Sequence, residues 1–226
     1  MLLFGEIVKT LHHSVFNSKE VPYDSAMARR GSYAKGVAKR EEILTEALQV
    51  IAQNGYSRAS VRELADAVGL SQAGLLHYFS SKEELFTAVL QKRDEVDAAV
   101  YLDGNDLEAL SGLAAVMRHN TEVPGLAQLY SRLSAEATDP AHPAHDFFVQ
   151  RTAQFRAMFA DNVRARQQLG TLPAHLDPDK VATIMIALAD GLQTQWTLDP
   201  SIDMAEHIDY LAGLLSLSAS GTPAAE

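Results

Sequence analysis

The sequence contains no cysteine, which excludes disulfide bonds, thiolate zinc sites and cysteine nucleophiles. It also lacks any apolar run of the ~18–20 residues that a membrane-spanning helix needs. Its apolar opening segment is interrupted by Glu6 and Lys9, and it has neither the basic start nor the small-residue cleavage site of a signal peptide. We therefore expect a cytoplasmic protein without a membrane partner.

Motifs of catalysis and nucleotide binding are also missing. The sequence has no GxGxxG, Walker loop, HExxH or GxSxG pattern. The segment DPAHPAHDFF does carry Asp139, His142, His145 and Asp146, whose side chains are possible metal ligands. Its two prolines are more typical of a loop that leads into a helix cap, so we predict neither a metal ion nor a cofactor.

Charge is distributed unevenly along the chain, whose formal net charge is −10. Residues 26–93 carry ten Lys/Arg against seven Asp/Glu, whereas residues 94–226 carry seven against nineteen. An acidic chain does not coat nucleic acid over its whole surface, but a basic segment joined to an acidic one is consistent with two surfaces that have different partners. Acidic helices that only keep the protein in solution explain the charge equally well.

Strand signals are scarce, and apolar residues recur instead at the spacing of amphipathic helices. Serine caps and glycine stops predict four helices in the first hundred residues: one through Ile43–Ile51 that Gly55 ends, one from Ser60 to Gly69, one from Ser71 to Phe79, and one from Ser80 or Ser81 to Val100. Glu63, three residues after Ser60, is expected to close a capping box with it. Further helices are predicted at about 106–119, 124–137, 144–168, 178–197 and 202–217. The pattern therefore predicts an all-α fold of about nine helices.

Two short helices meet at Gly69 with a distinctive spacing. Ala65 is small enough for a crossing helix to approach closely, and Gly69 supplies the positive φ of a tight turn. Leu75 fills the angle between the helices. This spacing is typical of a helix-turn-helix, whose second helix projects into the major groove of DNA.

The segments ILTEALQVIAQNGY (residues 43–56) and SVRELADAVGLSQAGLLHYFSSKEELF (residues 60–86) resemble the DNA-binding domain of the TetR family of bacterial transcriptional regulators. The pattern H-Y-F-x-x-K-x-x-L, residues 77–85, is the most diagnostic part of the resemblance. The resemblance implies an all-α homodimer with an N-terminal three-helix DNA-binding domain and a C-terminal helical ligand-binding and dimerisation domain. The expected boundaries are a flexible extension at 1–36, the DNA-binding domain at 37–84, the body at 85–217 and a frayed tail at 218–226.

The resemblance also implies roles for the first turn of the recognition helix. Gln72, Ala73 and Gly74 form the turn that faces base edges in the family. A glutamine amide pairs with adenine, and the Ala73 methyl is able to touch a thymine methyl. Leu76 stands where the family often has tyrosine, so one phosphate contact is absent or replaced. Singly, His77 and Tyr78 are as easily explained by the packing of a helical bundle.

His77 and Tyr78 match positions at which the family contacts phosphates. Phosphate contacts fix the register of the protein on the DNA but do not read its sequence. Lys82 lies where the free N–H groups of the next helix favour an anionic oxygen. The complete set predicted to bind DNA is Ser60, Ser71, Gln72, Ala73, Gly74, Leu76, His77, Tyr78, Lys82, Lys39 and Arg40. The predicted helix-turn-helix core is Leu64, Ala65, Gly69, Leu75 and Phe79.

The segment MARRGSYAKGVAKR, residues 27–40, has five positive charges and no acid. It is either an arm that follows the minor groove or the phosphates, or a solvated leader. Met27 is a plausible start, so residues 1–26 are either an upstream extension or absent from the native protein.

The second half of the chain offers candidates for a ligand pocket and for a dimer interface. Large apolar residues there either line a cavity or fill the core; the pocket candidates are Met117, Tyr130, Phe148, Phe155, Phe159, Met185 and Trp196. The last two helices are expected to form a four-helix bundle with their copies; the interface candidates are Leu188, Leu192, Ile208, Leu211 and Leu215.

These features predict a ligand-responsive regulator rather than an enzyme. We expect a repressor that binds a palindromic double-stranded DNA operator as a homodimer, since a two-fold dimer places its recognition helices about one DNA turn, ~34 Å, apart. A small-molecule effector is expected to release it. The alternatives are an activator or corepressor-dependent regulator, and a helical enzyme with an incidental helix-turn-helix corner.

Overall fold

The computed structural model describes residues 26–55, 60–101 and 109–217. Within these ranges it has nine helices and no strand: α1 (Ala26–Asn54), α2 (Val61–Ala67), α3 (Gln72–Tyr78), α4 (Lys82–Tyr101), α5 (Ala109–Glu122), α6 (Pro124–Glu136), α7 (His145–Gln168), α8 (Pro178–Leu198) and α9 (Met204–Leu217). The all-α prediction is therefore confirmed. None of the helices described is long and apolar enough to cross a membrane.

The chain divides into two compact units, Met1–Val96 and Asp97–Glu226. The boundary after Val96 lies within α4, twelve residues beyond residue 84, where the sequence predicts the end of the DNA-binding domain. The predicted extension before residue 26 and the predicted tail at 218–226 lie outside the described residues.

The structure differs from the sequence prediction at the start of α1. Residues 26–36, predicted as part of a flexible arm, are helical from Ala26 onward. The segment is rich in Ala, Lys and Arg, which favour helix, and it has no proline; its glycines cost only about 1 kcal/mol each relative to alanine. The helix therefore begins inside the extension predicted at 1–36, before the start of the DNA-binding domain predicted at residue 37.

The end of α5 also differs, because the helix continues to Glu122 rather than ending near residue 119. It ends immediately before Val123, whose φ of −126° and ψ of 57° are not helical. The following residue is Pro124, and a residue that precedes proline is sterically excluded from helical geometry. The steric effect of Pro124 on Val123, rather than the spacing of apolar residues, therefore determines where α5 ends.

The first unit is held by a core to which four helices contribute. The apolar side chains that face inward are almost completely buried: Ile43, Leu44, Ala47 and Ile51 of α1, Leu64 and Ala65 of α2, Leu75 of α3, Phe79 after it, and Leu85, Phe86, Val89 and Leu90 of α4. A short helix such as α3 is not stable alone, so this burial is what holds it in place.

Gly69 makes the turn between α2 and α3. Its φ is 68°, its N–H donates to the Asp66 carbonyl, and the Leu70 N–H donates to the Ala65 carbonyl at 2.8 Å. These two hydrogen bonds form a Schellman motif, which satisfies carbonyls at the end of α2. Gly69 is exposed and has the positive φ predicted for it, so it contributes backbone conformation to the helix-turn-helix rather than packing.

The second unit has its own core, which is built from five helices and the loop after α7. Its buried members include Ala114, Met117, Ala127, Phe159, Val163, Leu172, Met185, Leu192, Trp196, Met204 and Ile208. The polar side chains of Asn120 and Gln193 are also buried. The Asn120 amide donates to Gln193 Oε1 at 2.8 Å, and the Gln193 amide donates to the Ala127 carbonyl and to Ser131 Oγ. This network ties α5 and α6 to α8.

Replacement of Gly69 by alanine tests the turn. A Cβ at this position would meet no atom within 4 Å, so the cost is the left-handed backbone alone, about 1–2 kcal/mol. Gly36→Ala is the matched control, because a Cβ there also meets nothing and helix propensity predicts a gain of about 1 kcal/mol. Chemical denaturation of the full chain measures both, and effects of the same sign would contradict this account of the turn.

Candidate nucleic-acid interface

The recognition helix α3 has one buried face and one exposed face. Leu75 is completely buried, whereas Gln72, Ala73, Leu76 and His77 are exposed. These four exposed residues are spaced i, i+1, i+4 and i+5, so they lie on one side of the helix. We call them the exposed face of α3. Gly74 and Tyr78 lie at its margins and are half-buried.

A serine cap holds the first turn of this helix. Ser71 has extended backbone geometry, and its Oγ accepts a hydrogen bond from the Gly74 N–H at 3.0 Å. A Cβ on Gly74 would lie 3.2 Å from the same Ser71 oxygen. A larger residue at position 74 would therefore crowd the Ser71 cap, so glycine at this position leaves room for the capping side chain.

Ser60 caps α2 in the capping box that the sequence predicts. Its Oγ accepts from the Glu63 N–H at 3.2 Å, and its own N–H donates to Glu63 Oε2 at 2.9 Å. The Ser60 hydroxyl also donates to this carboxylate. Ser60 is exposed, but its hydrogen-bonding groups are engaged within the protein, so its predicted contact with DNA requires exchange of one of these bonds.

Arg40 and Glu84 join α1 to the corner between α3 and α4. Arg40 Nη1 donates to the Tyr78 carbonyl at 2.6 Å, its guanidinium lies 4.1 Å from the centre of the Phe79 ring, and Nη2 lies 3.4 Å from Glu84 Oε1. Glu84 in turn accepts from the Ser80 N–H at 2.7 Å and from the Ser80 hydroxyl. The guanidinium predicted to bind DNA is thus engaged within the first unit.

The charges at this corner perturb one another. Desolvation raises the pKa of Glu84, but the hydrogen bonds from Ser80 and the charge of Arg40 outweigh it, so the pKa lies below its ordinary value. Desolvation lowers the pKa of Arg40, and Glu84 partly offsets this effect. Both groups are therefore charged at neutral pH.

The lysines predicted to bind DNA remain accessible to different degrees. Lys82 is exposed at the first position of α4, and its Nζ lies 5.4 Å from the centre of the Phe86 ring. Lys39 is half-buried and pairs with Glu42 one turn away at 2.7 Å. A surface pair of this kind contributes little, so Lys39 remains able to exchange its partner for a phosphate. The cap of α4 is Ser81, whose Oγ accepts from the Glu84 N–H.

The aromatic candidates of the second unit separate into two groups. Met117, Phe159, Met185 and Trp196 belong to the buried core, with Phe155 packed against it. Tyr130 and Phe148 instead meet edge-to-face, with ring centres 5.6 Å apart. The structure therefore brings part of the predicted pocket set together with other residues rather than with the core.

Arg151 and Asp190 complete the group around Tyr130, and sequence reasoning missed both. The Arg151 guanidinium lies 4.8 Å from the Tyr130 ring centre and 4.5 Å from that of Phe155, and its Nη1 donates to the Tyr130 hydroxyl at 3.2 Å. That hydroxyl donates to Asp190 Oδ1 at 3.0 Å. We call Tyr130, Phe148, Arg151, Phe155 and Asp190 the Tyr130 cluster. Phe148, Arg151 and Phe155 share one face of α7 at i, i+3 and i+7, a spacing that the sequence does show.

The electrostatics of the Tyr130 cluster centre on Asp190. Desolvation raises the pKa of this carboxyl, while the Tyr130 hydroxyl bond and the Arg151 charge act against the increase. An exposed carboxylate beside a guanidinium, a phenol hydroxyl and several rings combines polar groups with apolar contact surface, which is the usual composition of a small-molecule site.

The segment whose Asp and His side chains are possible metal ligands, residues 139–146, forms a turn that leads into α7. His142 Nδ1 accepts from the Ala144 N–H at 3.2 Å, and Asp139 Oδ1 accepts from the Ala141 N–H at 2.9 Å. His145 Nδ1 lies 2.9 Å from the Ala137 carbonyl. In the part of the chain that the structure describes, no group of three or more His, Asp or Glu side chains is arranged to hold a metal ion.

The predicted dimer residues also separate by exposure. Leu192 and Ile208 are buried in the core of the second unit, which leaves them no surface for a partner, so their assignment to the interface is wrong. Leu188, Leu211 and Leu215 are half-buried. Other apolar side chains on these two mutually packed helices are exposed instead: Ile184, Ala187 and Leu198 of α8, and Tyr210 and Leu214 of α9.

Comparison with family models identifies both parts of the chain. Residues 43–89 match the model of bacterial regulatory proteins of the tetR family. Residues 141–212 match the C-terminal model of the BetI-type transcriptional repressors. The first match covers α2, α3 and the exposed face of α3, and the second covers α7, α8 and most of α9.

Individual proteins match over most of their length. The HTH-type transcriptional repressor Rv1474c of Mycobacterium tuberculosis is 30% identical over 159 residues, which are 69% of this chain and 80% of that protein. The HTH-type transcriptional repressor AcnR of Corynebacterium efficiens is 32% identical over 185 residues, 76% of this chain and 93% of that protein.

Solved structures share the fold. A putative TetR-family regulator from Rhodococcus sp. superposes with a TM-score of 0.64 at 24% identity, over 79% of this chain and 98% of that one. AibR, solved in complex with isovaleryl coenzyme A and operator DNA, superposes with a TM-score of 0.53 at 21% identity, over the same shares of the two chains. The chain belongs to the TetR family of bacterial regulatory proteins, and it is a DNA-binding transcriptional regulator rather than an enzyme.

Proposed function

We propose that the protein is a repressor that binds a palindromic operator as a homodimer and is released by a small-molecule effector. The observation that carries the proposal is the exposed face of α3, because a helix whose first turn is accessible is able to enter a major groove. Such a regulator acts on chromosomal DNA and therefore in the bacterial cytoplasm.

The composition of the exposed face suits the reading of bases. Gln72 presents an amide that pairs bidentately with adenine, and Ala73 and Leu76 present apolar groups that fit beside a thymine methyl. His77 and Lys82 lie further along the chain, where polar or charged groups suit phosphate oxygens. These residues carry no side-chain carboxylate, so the exposed face does not repel the DNA backbone.

The relatives support repression as the sign of regulation. Rv1474c and AcnR are both named as repressors. A shorter match, 41% identical over 64 residues, is to the transcriptional activator FasR of Mycolicibacterium smegmatis. A promoter fusion measured with and without the gene distinguishes the two signs, because loss of a repressor raises expression and loss of an activator lowers it.

The homodimer is supported by apolar residues of α8 and α9, of which Ile184, Leu198, Tyr210 and Leu214 are exposed and Leu188 and Gly191 are half-buried. Ile184, Leu188, Gly191 and Leu198 are spaced at i, i+4, i+7 and i+14 along one side of α8, and Leu198 is 83% exposed. We name this set, together with Tyr210 and Leu214 of α9, the α8–α9 apolar face. Two amphipathic helices that meet a symmetric copy bury such a face in a four-helix arrangement.

We propose that the effector binds at the Tyr130 cluster. Its rings supply apolar contact, and the Tyr130 hydroxyl, the Arg151 guanidinium and the Asp190 carboxylate supply orientation. The three charged or polar groups come from α6, α7 and α8, so a ligand that inserts between them changes the packing of three helices. Operator release then follows from two-state coupling: a 100-fold loss of operator affinity requires about 2.7 kcal/mol of differential binding.

Gln72→Ala tests the DNA-binding face. Loss of one bidentate base contact costs about 1–3 kcal/mol, so we expect the affinity for the operator to fall roughly 5- to 150-fold while the affinity for unrelated DNA stays unchanged. Fluorescence anisotropy with an operator selected from genomic fragments measures both affinities. Gln168→Ala, an exposed glutamine at the end of α7, is the control; equal effects of the two substitutions would contradict the assignment.

Ile184→Glu tests the α8–α9 apolar face. Ile184 is 57% exposed in the single chain, and burial of an unpaired carboxylate there should raise the dimer dissociation constant at least ~100-fold. Sedimentation velocity over a concentration series measures the change. Val149→Glu on α7 also replaces an exposed β-branched apolar residue by an acid, and it should leave the dimer intact. A dimer that survives Ile184→Glu would place the interface elsewhere.

Tyr130→Phe tests the effector site, since it removes only the hydroxyl that bridges Arg151 and Asp190. We expect unchanged operator affinity and at least about a tenfold weaker release by the small-molecule filtrate of a lysate from the native bacterium, the loss of one or two hydrogen bonds to a charged group. The control is Tyr101→Phe, whose ring lies against His119 in the same unit. Release of both variants at the same dilution would place the effector outside the Tyr130 cluster.

A further inference from the structure

Arg40 occupies an unusual place for a residue of a basic segment. It is the last of five positive charges in residues 27–40, yet its side chain is about four-fifths buried. One guanidinium group contacts three successive parts of the corner: the Tyr78 carbonyl at 2.6 Å, the Phe79 ring at 4.1 Å and Glu84 Oε1 at 3.4 Å. Together these contacts link α1 to the end of α3 and the start of α4.

The first of these contacts falls where the recognition helix ends. Tyr78 is the last residue of α3, and Phe79 has extended geometry with φ −137° and ψ 123°. The last carbonyls of a helix have no intrahelical partner, and a cation is favoured beside them. Arg40 therefore satisfies a terminal carbonyl of α3 with a charge-assisted hydrogen bond, while its guanidinium carbon lies over the buried Phe79 ring.

The other contacts hold the Arg40 guanidinium itself in place. Glu84, which lies 3.4 Å from Arg40 Nη2, is itself fixed by the Ser80 N–H and hydroxyl. The fork of an arginine is rigid, so two hydrogen bonds and a stacked ring define its position within narrow limits. Because the same guanidinium bonds the Tyr78 carbonyl, it also fixes the position of the end of α3 relative to α1.

We propose that Arg40 is a positioning residue that sets the angle at which the exposed face of α3 is presented to DNA, and that it does not contact DNA. The inference rests on the proposed role of that face in reading bases. It replaces the sequence prediction, in which Arg40 belongs to the set of residues that bind DNA.

The two roles differ in what they do to binding. A phosphate contact releases counterions, so its loss weakens binding to every sequence and reduces the salt slope by about 1. A residue that sets the orientation of α3 affects only the contacts that depend on this orientation, which are the contacts to base edges. Loss of Arg40 therefore lowers the ratio of operator affinity to unrelated-DNA affinity and leaves the salt slope on unrelated DNA unchanged.

Arg40→Lys is the decisive variant, because lysine keeps the charge and most of the stem but lacks the planar fork. The full-length protein is titrated with an operator that the wild type selects from genomic fragments and with a scrambled duplex of equal length, over a series of salt concentrations. We expect the operator-to-scrambled affinity ratio to fall about tenfold, the cost of roughly one misread base pair, with no change on the scrambled duplex.

Two further variants complete the experiment. Lys82→Ala is the comparison for a phosphate contact. It should weaken binding to both duplexes by similar factors and reduce the salt dependence of both affinities. Arg40→Gln removes the charge as well, and should lower the affinity ratio at least as far as Arg40→Lys. Circular dichroism confirms folding, and if Arg40→Gln does not fold, Arg40→Lys alone decides.

The outcomes are separable. An Arg40→Lys protein with the wild-type affinity ratio would overturn the positioning role, and so would an Arg40→Gln protein that loses the same factor on both duplexes together with one unit of salt slope. A wild-type protein that selects no fragment over the scrambled duplex would instead contradict the proposed function of α3.

Discussion

The burial of Leu75 and Phe79 is the constraint on which the DNA-binding part of this molecule depends. Both side chains are almost completely enclosed, and they anchor the middle and the C-terminal end of a helix of only seven residues. Once these two positions face inward, the helical repeat leaves Gln72, Ala73, Leu76 and His77 outside. The exposed face of α3 is therefore a geometric consequence of its core, and the caps at Ser71 and Arg40 fix its two ends.

Several of these features follow from the sequence because they depend on neighbours along the chain. The capping box of Ser60 and Glu63, the serine cap at Ser71 and the positive φ at Gly69 are local, and each was predicted from a few adjacent residues. The helices of the second half were located from apolar periodicity to within a few residues at most ends. The family resemblance added the arrangement of the helices and their role.

Other features depend on residues far apart in the chain, and these were missed or assigned wrongly. Arg40 meets Tyr78 across 38 positions, and Tyr130 meets Asp190 across 60. No local pattern indicates that a basic residue will turn inward rather than toward DNA. Periodicity shows that Leu192 and Ile208 are apolar face residues, but it does not show whether that face meets the same chain or a copy, and the structure places both in the chain's own core.

The separation between buried and exposed positions on α3 has a consequence for engineering. Residues 71, 74, 75 and 79 carry the cap, the close turn and the anchors, whereas 72, 73, 76 and 77 contribute nothing to the buried core. A combinatorial library restricted to the second quartet would explore new target sequences on an unaltered scaffold. Within this one short segment, the residues that stabilise the fold and the residues that face solvent are different, so the second set is open to change without the first.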